Sequence, residues 1–220
     1  MRNRFDEQLD HLNREMIEMG ALCEEIIATV EQALQTKNSE LCKNIKQRSV
    51  LIDQMEYEIE ARCMKLLLHQ QPVARDLRQI SAAMKMITDM ERIGDQAEDI
   101  ADIMIFLNAH ADMELSLIQG MAKSTRRMVT ESVDAYVKRD VALAKAVIAH
   151  DDIVDDYFCK MKCDIIRWIA KNPGNGEEAL DLLMIAKYFE RIGDHATNIA
   201  EWVIYSVTGE HEEGKDDLVR

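Results

Sequence analysis

Carboxylates in this chain come in a repeated pattern. Glu91-Arg92-Ile93-Gly94-Asp95 returns letter for letter as Glu190-Arg191-Ile192-Gly193-Asp194, at an offset of 99 residues (190 − 91). On a helix, residues four apart share one face, with Cβ atoms about 5–6 Å apart. Each copy therefore presents a pair of acids side by side. Asp151 and Asp155 form a third pair at the same spacing. Asp53 stands alone, because the position four before it is Ser49. Three or four carboxylates on adjoining helices make an all-oxygen site for a hard cation such as Mg or Mn, or for iron. Acid pairs at helical spacing are usually no more than a solvated face; recurrence at the same place in a repeat brings the site reading level with that one. Gly94 and Gly193, each costing about 1 kcal/mol against Ala in mid-helix, suit either close approach of an ion or backbone, or a tight crossing of two helices.

These acids need helices to hold them, and the apolar pattern supplies six. Ala97, Ile100 and Ala101 recur as Ala196, Ile199 and Ala200, so the match runs well past the five letters and marks a duplicated unit. In the first segment Phe5, Leu9, Leu12, Met16, Met19, Cys23, Ile26 and Val30 alternate steps of four and three, the seam of a helix packed nearly parallel to its neighbours. Asn38 or Ser39 can cap a second helix that carries Ile45, Ile52, Ile59, Cys63 and Leu66. Pro72 is placed in the first turn of a third helix, 73–108, with Met86, Met90, Ile93, Ala97 and Ile100 inward. After a turn at Ala109-His110-Ala111-Asp112 the pattern restarts. A fourth helix ends near Lys138-Arg139, Asp140 caps a fifth, and Asn172-Pro173-Gly174-Asn175-Gly176 breaks the chain before a sixth. Glu91 and Asp95, and likewise Glu190 and Asp194, fall beside these apolar stripes. Antiparallel packing of the second and third helices brings Asp53 to Glu91 and Asp95; the fifth and sixth do the same for Asp151, Asp155, Glu190 and Asp194.

A formal charge of −14 argues against a nucleic-acid partner and suits cations or a basic protein surface. Cys23, Cys42, Cys63, Cys159 and Cys163 show no CxxC spacing, and are expected as buried, reduced core thiols in a reducing compartment. No signal core follows Met1-Arg2-Asn3-Arg4-Phe5, and no apolar run reaches the 18–20 or so residues of a membrane span, so a soluble, cytoplasmic protein is expected. Catalytic settings are absent. Neither Glu91 nor Glu190 has a His three residues on, as a ferritin-like di-iron site requires. No Gly-rich phosphate loop or activated nucleophile is readable, and no enzyme is expected.

Gln71-Pro72-Val73-Ala74-Arg75-Asp76-Leu77-Arg78, the two Glu-Arg-Ile-Gly-Asp copies, and His195 followed by Asn198-Ile199 together resemble the PhoU family over nearly the whole chain. The apolar pattern reads as an all-α fold of two tandem three-helix bundles, residues 1–109 and 110–208, with 209–220 as an acidic tail expected to be disordered. The resemblance agrees with the six helices and the duplication. It implies a non-catalytic cytoplasmic regulator of phosphate uptake and negative regulator of the phosphate-starvation response. Its implied partners are the ATPase subunit of the phosphate ABC transporter and a sensor histidine kinase, and it is expected as a homodimer. Some members carry metal on these carboxylate motifs. The ligands here would be Glu91, Asp95 and Asp53, and Glu190, Asp194, Asp151 and Asp155. Ser49 replaces an acid common in the family, so the first site is expected to bind more weakly. Asp76 and Arg78 are expected to fix the turn between helices two and three, and His195 to add a ligand or face water. Two other functions stay open: accessory to a low-affinity phosphate permease, or a metal-binding helical protein with a storage or enzymatic role.

Overall fold

Alternating three- and four-residue apolar steps leave one side of each segment to bury, and the chain folds as helices that meet along those sides. The computed structural model describes residues 2–36, 38–69, 72–106, 116–171 and 173–210. They form α1 (Arg2–Thr36), α2 (Ser39–His69), α3 (Ala74–Phe106), α4 (Ser116–Lys138), α5 (Val141–Lys171) and α6 (Gly176–Thr208), with a short 3₁₀ turn at Pro173–Asn175. The expected mid-chain turn, the bundle boundary inside it and the acidic tail beyond Glu210 lie outside the described residues.

Local chemistry sets the helix ends. Asp140 Oδ1 accepts from the N–H groups of Ala142 (2.9 Å) and Leu143 (3.0 Å), the cap expected for α5. Asn38 Oδ1 does the same for Glu40 N–H at 3.0 Å. Pro72 is displaced from its expected place. The Leu77 N–H bonds to the Val73 carbonyl at 3.0 Å, so Val73 is the cap residue and Pro72 lies one residue before that cap, outside α3. At the end of α6, Gly209 takes φ 83° and returns its N–H to the Tyr205 carbonyl at 2.8 Å, a left-handed cap that a side chain would strain.

The helices pack in two layers. α2, α3, α6 and α5 lie side by side in that order, with α3 against α6 as the most extensive contact; α1 and α4 pack on each other and behind this layer. Within each half the first helix touches the second and third, and the second touches the third. The halves share one continuous core. Leu12, Met19, Ile26, Ile80, Met86, Ile93, Met121, Met128, Leu182, Phe189 and Ile192 are all within 1% of complete burial. Each such side chain contributes roughly 1.5–3 kcal/mol relative to exposure, which makes either half a poor candidate for folding alone.

α1 and α4 approach closely at Gly20. A Cβ built there would lie 2.7 and 2.8 Å from the two methyls of Val133. Gly20→Ala is expected to destabilise by about 1–3 kcal/mol through overpacking, and Val133→Ala in the same chain should recover much of it. Urea unfolding of the four proteins checks this; additive effects of the two substitutions would sink it.

The cysteines divide. Cys23, Cys42 and Cys63 are buried, and burial pushes the thiols of Cys23 and Cys63 up to about 12. Cys159 and Cys163 are exposed, against expectation. The reason is helical register. The inward residues of α5 are Ala144, Val147, Val154, Met161 and Ile165. Cys159 and Cys163 each lie two residues from Met161, about 200° around the helix axis.

Candidate metal centre

Asp53 on α2 and Glu91 and Asp95 on α3 offer carboxylate oxygens that all lie within 4.8 Å of one another. The antiparallel approach of α2 and α3 brings them together as the sequence suggested. Ile52 makes the contact close: a Cβ on Gly94 would meet its Cδ1 at 3.3 Å, so this glycine serves a tight helix crossing. Burial, then the neighbouring charges of Asp95 and Glu98, raises the Asp53 pKa. Glu91 is raised by burial, then by Asp95, with Arg92 working against both. Arg92 is the resident counter-charge, with Nε 3.3 Å from Glu91 Oε2 and Nη1 3.1 Å from Asp95 Oδ2. The Ser49 position is buried, with 1% of its surface exposed, so the missing acid leaves three carboxylates that still converge.

In the second half Asp151 and Asp155 on α5 face Glu190 and Asp194 on α6 closely enough to repel. Asp151 is pushed up to about 7, first by burial and then by Asp194, Asp155 and Glu190. Asp194 is pushed up to about 6 by burial and then Glu190, with Lys187 opposing. Gly193 makes room for this acid, because a Cβ there would sit 3.0 Å from Asp151 Oδ1. The two motif glycines thus do different work: one admits a crossing helix, the other a carboxylate. Lys187 pairs with Glu190. Among the described residues, the set meeting the 4.8 Å distance is the first cluster; the four acids of the second stand further apart. Spacing therefore favours the first cluster, while the number of acids favours the second.

The contact between α3 and α6 separates the two clusters and uses residues that stripe-reading passed over. Asp89 Oδ1 accepts from His195 Nδ1 (2.9 Å) and Asn198 Nδ2 (3.0 Å). His195 thus commits its Nδ1 to Asp89 across this contact, and its charge also bears on the neighbouring Asp194. Asp99 answers from the other direction, raised by burial and by Asp95, with Arg191 opposing and Tyr188 in hydrogen-bond contact. A 99-residue offset would have exposed the correspondence: Asp99 matches Asn198, and Asp89 matches Tyr188. Arg78 also differs from expectation. Its guanidinium lies 3.4 Å from where a Cβ of Gly209 would stand, at the C-terminal end of α6, where a cation is favoured by the unpaired carbonyls. His150, with no partner evident in the sequence, meets Ser124 Oγ through Nε2 at 2.9 Å.

A duplicated three-helix unit with an acidic cluster between its second and third helices defines the class: an all-helical protein built by internal repeat. The PhoU domain model matches this chain twice, over residues 16–104 and 118–203. The chain belongs to the PhoU family. A relative from Clostridium acetobutylicum, described as a phosphate-specific transport system accessory protein PhoU homolog, is 34% identical over 218 residues, covering 98% of this chain and 99% of its own. One of the same description from Aquifex aeolicus is 35% identical, covering 92% of each. The crystal structure of PhoU from Pseudomonas aeruginosa superposes with TM-score 0.91 at 31% identity, covering 94% of this chain and all of that one. The phosphate transport system regulatory protein PhoU from Streptococcus pneumoniae gives 0.88 at 27% identity, covering 95% and 99%. No helix among the described residues is long and apolar enough to cross a membrane.

Proposed function

We propose that this chain is a cytoplasmic accessory protein of phosphate uptake that restrains transport and holds off the phosphate-starvation response when phosphate is plentiful. It acts by docking, without a reaction of its own, on the ATPase subunit of the phosphate ABC transporter and on a sensor histidine kinase. The observation that carries this is the end-to-end match to relatives described as accessory to the phosphate-specific transport system. The net charge of −14 gives it a surface complementary to basic patches on such partners. Exposed apolar residues along α2 (Val50, Tyr57, Met64 and Leu68) support self-association as a homodimer. The two carboxylate clusters hold divalent metal or iron: Asp53, Glu91 and Asp95 in the first, and Asp151, Asp155, Glu190 and Asp194 in the second. The donor set is entirely carboxylate oxygen, which suits Mg, Mn or Fe.

The test is capture from the native host under phosphate-rich growth, with cross-linking and mass spectrometry, beside a phosphate-starvation reporter in a deletion strain. Recovery of the ABC transporter ATPase and a histidine kinase, with the reporter on in the deletion strain, is expected. Recovery of a low-affinity permease alone, with the reporter unchanged, would reassign the chain to that carrier.

A further inference from the structure

The two exposed cysteines of α5 lie where the carboxylate clusters do not. Cys159 and Cys163 line an open cleft of about 390 Å³ together with Asp156, Lys160, Asp164 and Arg167 of α5 and Leu117 of α4. Asp156, Cys159 and Cys163 are spaced by three and four residues, so they share one stripe of the helix. The corresponding residues of α2, at an offset of 102 (155 − 53), are Gln54, Tyr57 and Ala61, so this thiol pair belongs to one half alone.

We propose that Cys159 and Cys163 form a bidentate thiolate site for a soft, thiophilic cation, a zinc- or cadmium-like divalent ion or a trivalent arsenical, separate from the oxygen clusters. Helix geometry selects this over a disulfide. Cβ atoms four residues apart stand about 5–6 Å from each other, beyond the roughly 3.5–4.5 Å that a disulfide spans. An ion with two metal–sulfur bonds of about 2.3 Å holds its sulfurs nearly 4 Å apart, which bridges the gap without unwinding the helix. Binding a divalent ion converts two thiols to thiolates and releases two protons. An arsenous oxide forms two arsenic–sulfur bonds as its arsenic–oxygen bonds break, and the two thiol protons leave with the oxygen as water. Neither changes oxidation state. Arg167 in the same cleft is held by Asp164 at 2.8 Å, so the counter-charge open to the thiolates is Lys160, more weakly held by Asp156. Asp156 can supply an oxygen as third ligand, since its ion pair with Lys160 is a long 3.4 Å contact between two exposed side chains. The three buried thiols, Cys23, Cys42 and Cys63, stay out of reach.

The experiment uses the full chain, reduced and then freed of reductant under anaerobic conditions. Native thiol titration with a disulfide reagent is expected to count two fast thiols in the wild type. One equivalent of phenylarsine oxide, which carboxylates do not bind, should protect both at once. Cadmium should do the same and give a thiolate charge-transfer band. Cys159→Ser and Cys163→Ser, both at exposed positions, should each retain one fast thiol and bind the arsenical roughly 100-fold more weakly, the loss expected when a second attachment is removed. Uptake of two equivalents by the wild type, or equal affinity in either single variant, would show two independent thiols and overturn the proposal. So would failure of one equivalent to protect the pair.

Discussion

At pH 8, with divalent metal chelated, Asp151→Asn is expected to raise the melting temperature by roughly 4–8 °C, the equivalent of about 2 kcal/mol in a chain of this size. Near pH 4 the variant and the wild type should melt together. Asp151 is half-buried on α5, and its carboxyl is pushed from 3.8 up to about 7, chiefly by burial and then by Asp194, Asp155 and Glu190. The sign follows from proton counting. Below about pH 4 the carboxyl is protonated in both folded and unfolded chains and contributes no difference. Between there and about 7 the folded chain keeps a proton that the unfolded chain has released, so stability falls as pH rises. Above about 7 both are ionised and the penalty is constant, on the order of 2–4 kcal/mol from the size of the shift. Asn keeps the shape and removes the charge. A variant that melts with the wild type at pH 8 would mean that the carboxylate is hydrated in place and that its neighbours do not strain the fold.

Metal should reverse the same strain. In saturating Mn or Mg, at 100 times the dissociation constant, each occupied cluster is expected to stabilise the fold by about 2.7 kcal/mol. The gain should shrink toward pH 5, where protons compete for Asp151 and Asp194. Glu190→Ala with Asp194→Ala should abolish the second cluster's share and lower the bound metal found by elemental analysis, leaving helicity intact. Glu91→Ala with Asp95→Ala does the same for the first. The pair of variants also decides which cluster is stronger. Greater loss from the first would mean that spacing, with Asp53, Glu91 and Asp95 already converged, outweighs the number of acids. Greater loss from the second would restore the importance of the carboxylate that Ser49 lacks. Loss of helicity in either variant would make those acids structural, and an unchanged metal content in both would leave the acidic faces to docking alone.

Much of this architecture is written locally. Periodicity of three and four depends only on the pitch of a helix, so the stripes through Met16, Met86, Met128 and Ile185 mark the buried faces without knowledge of the partner helix. Caps are local as well: Asp140 bonds N–H groups two and three residues away. The exposure of Cys159 and Cys163 was equally legible, since their angle from Met161 is a property of one helix. Expecting them in the core gave general cysteine habit more weight than register. Pro72 missed its expected place by a margin that a single hydrogen bond, from Leu77 to Val73, decides.

What the sequence by itself determined is therefore the six helices, their apolar faces, the duplication, and the pairing of acids four apart on Glu91–Asp95, Asp151–Asp155 and Glu190–Asp194. The tertiary structure decided how the faces are turned toward one another. It drew Asp53, Glu91 and Asp95 within 4.8 Å, left the four acids of the second half more widely spaced yet more strongly perturbed, gave His195 to Asp89, and sent Arg78 to the end of α6. The physical reason is one of range. A helix fixes the angle between its own side chains through backbone hydrogen bonds a turn apart. The rotation and slide of one helix against another come only from packing side chains far apart in the chain, as Val133 settles on Gly20 and Ile52 on Gly94.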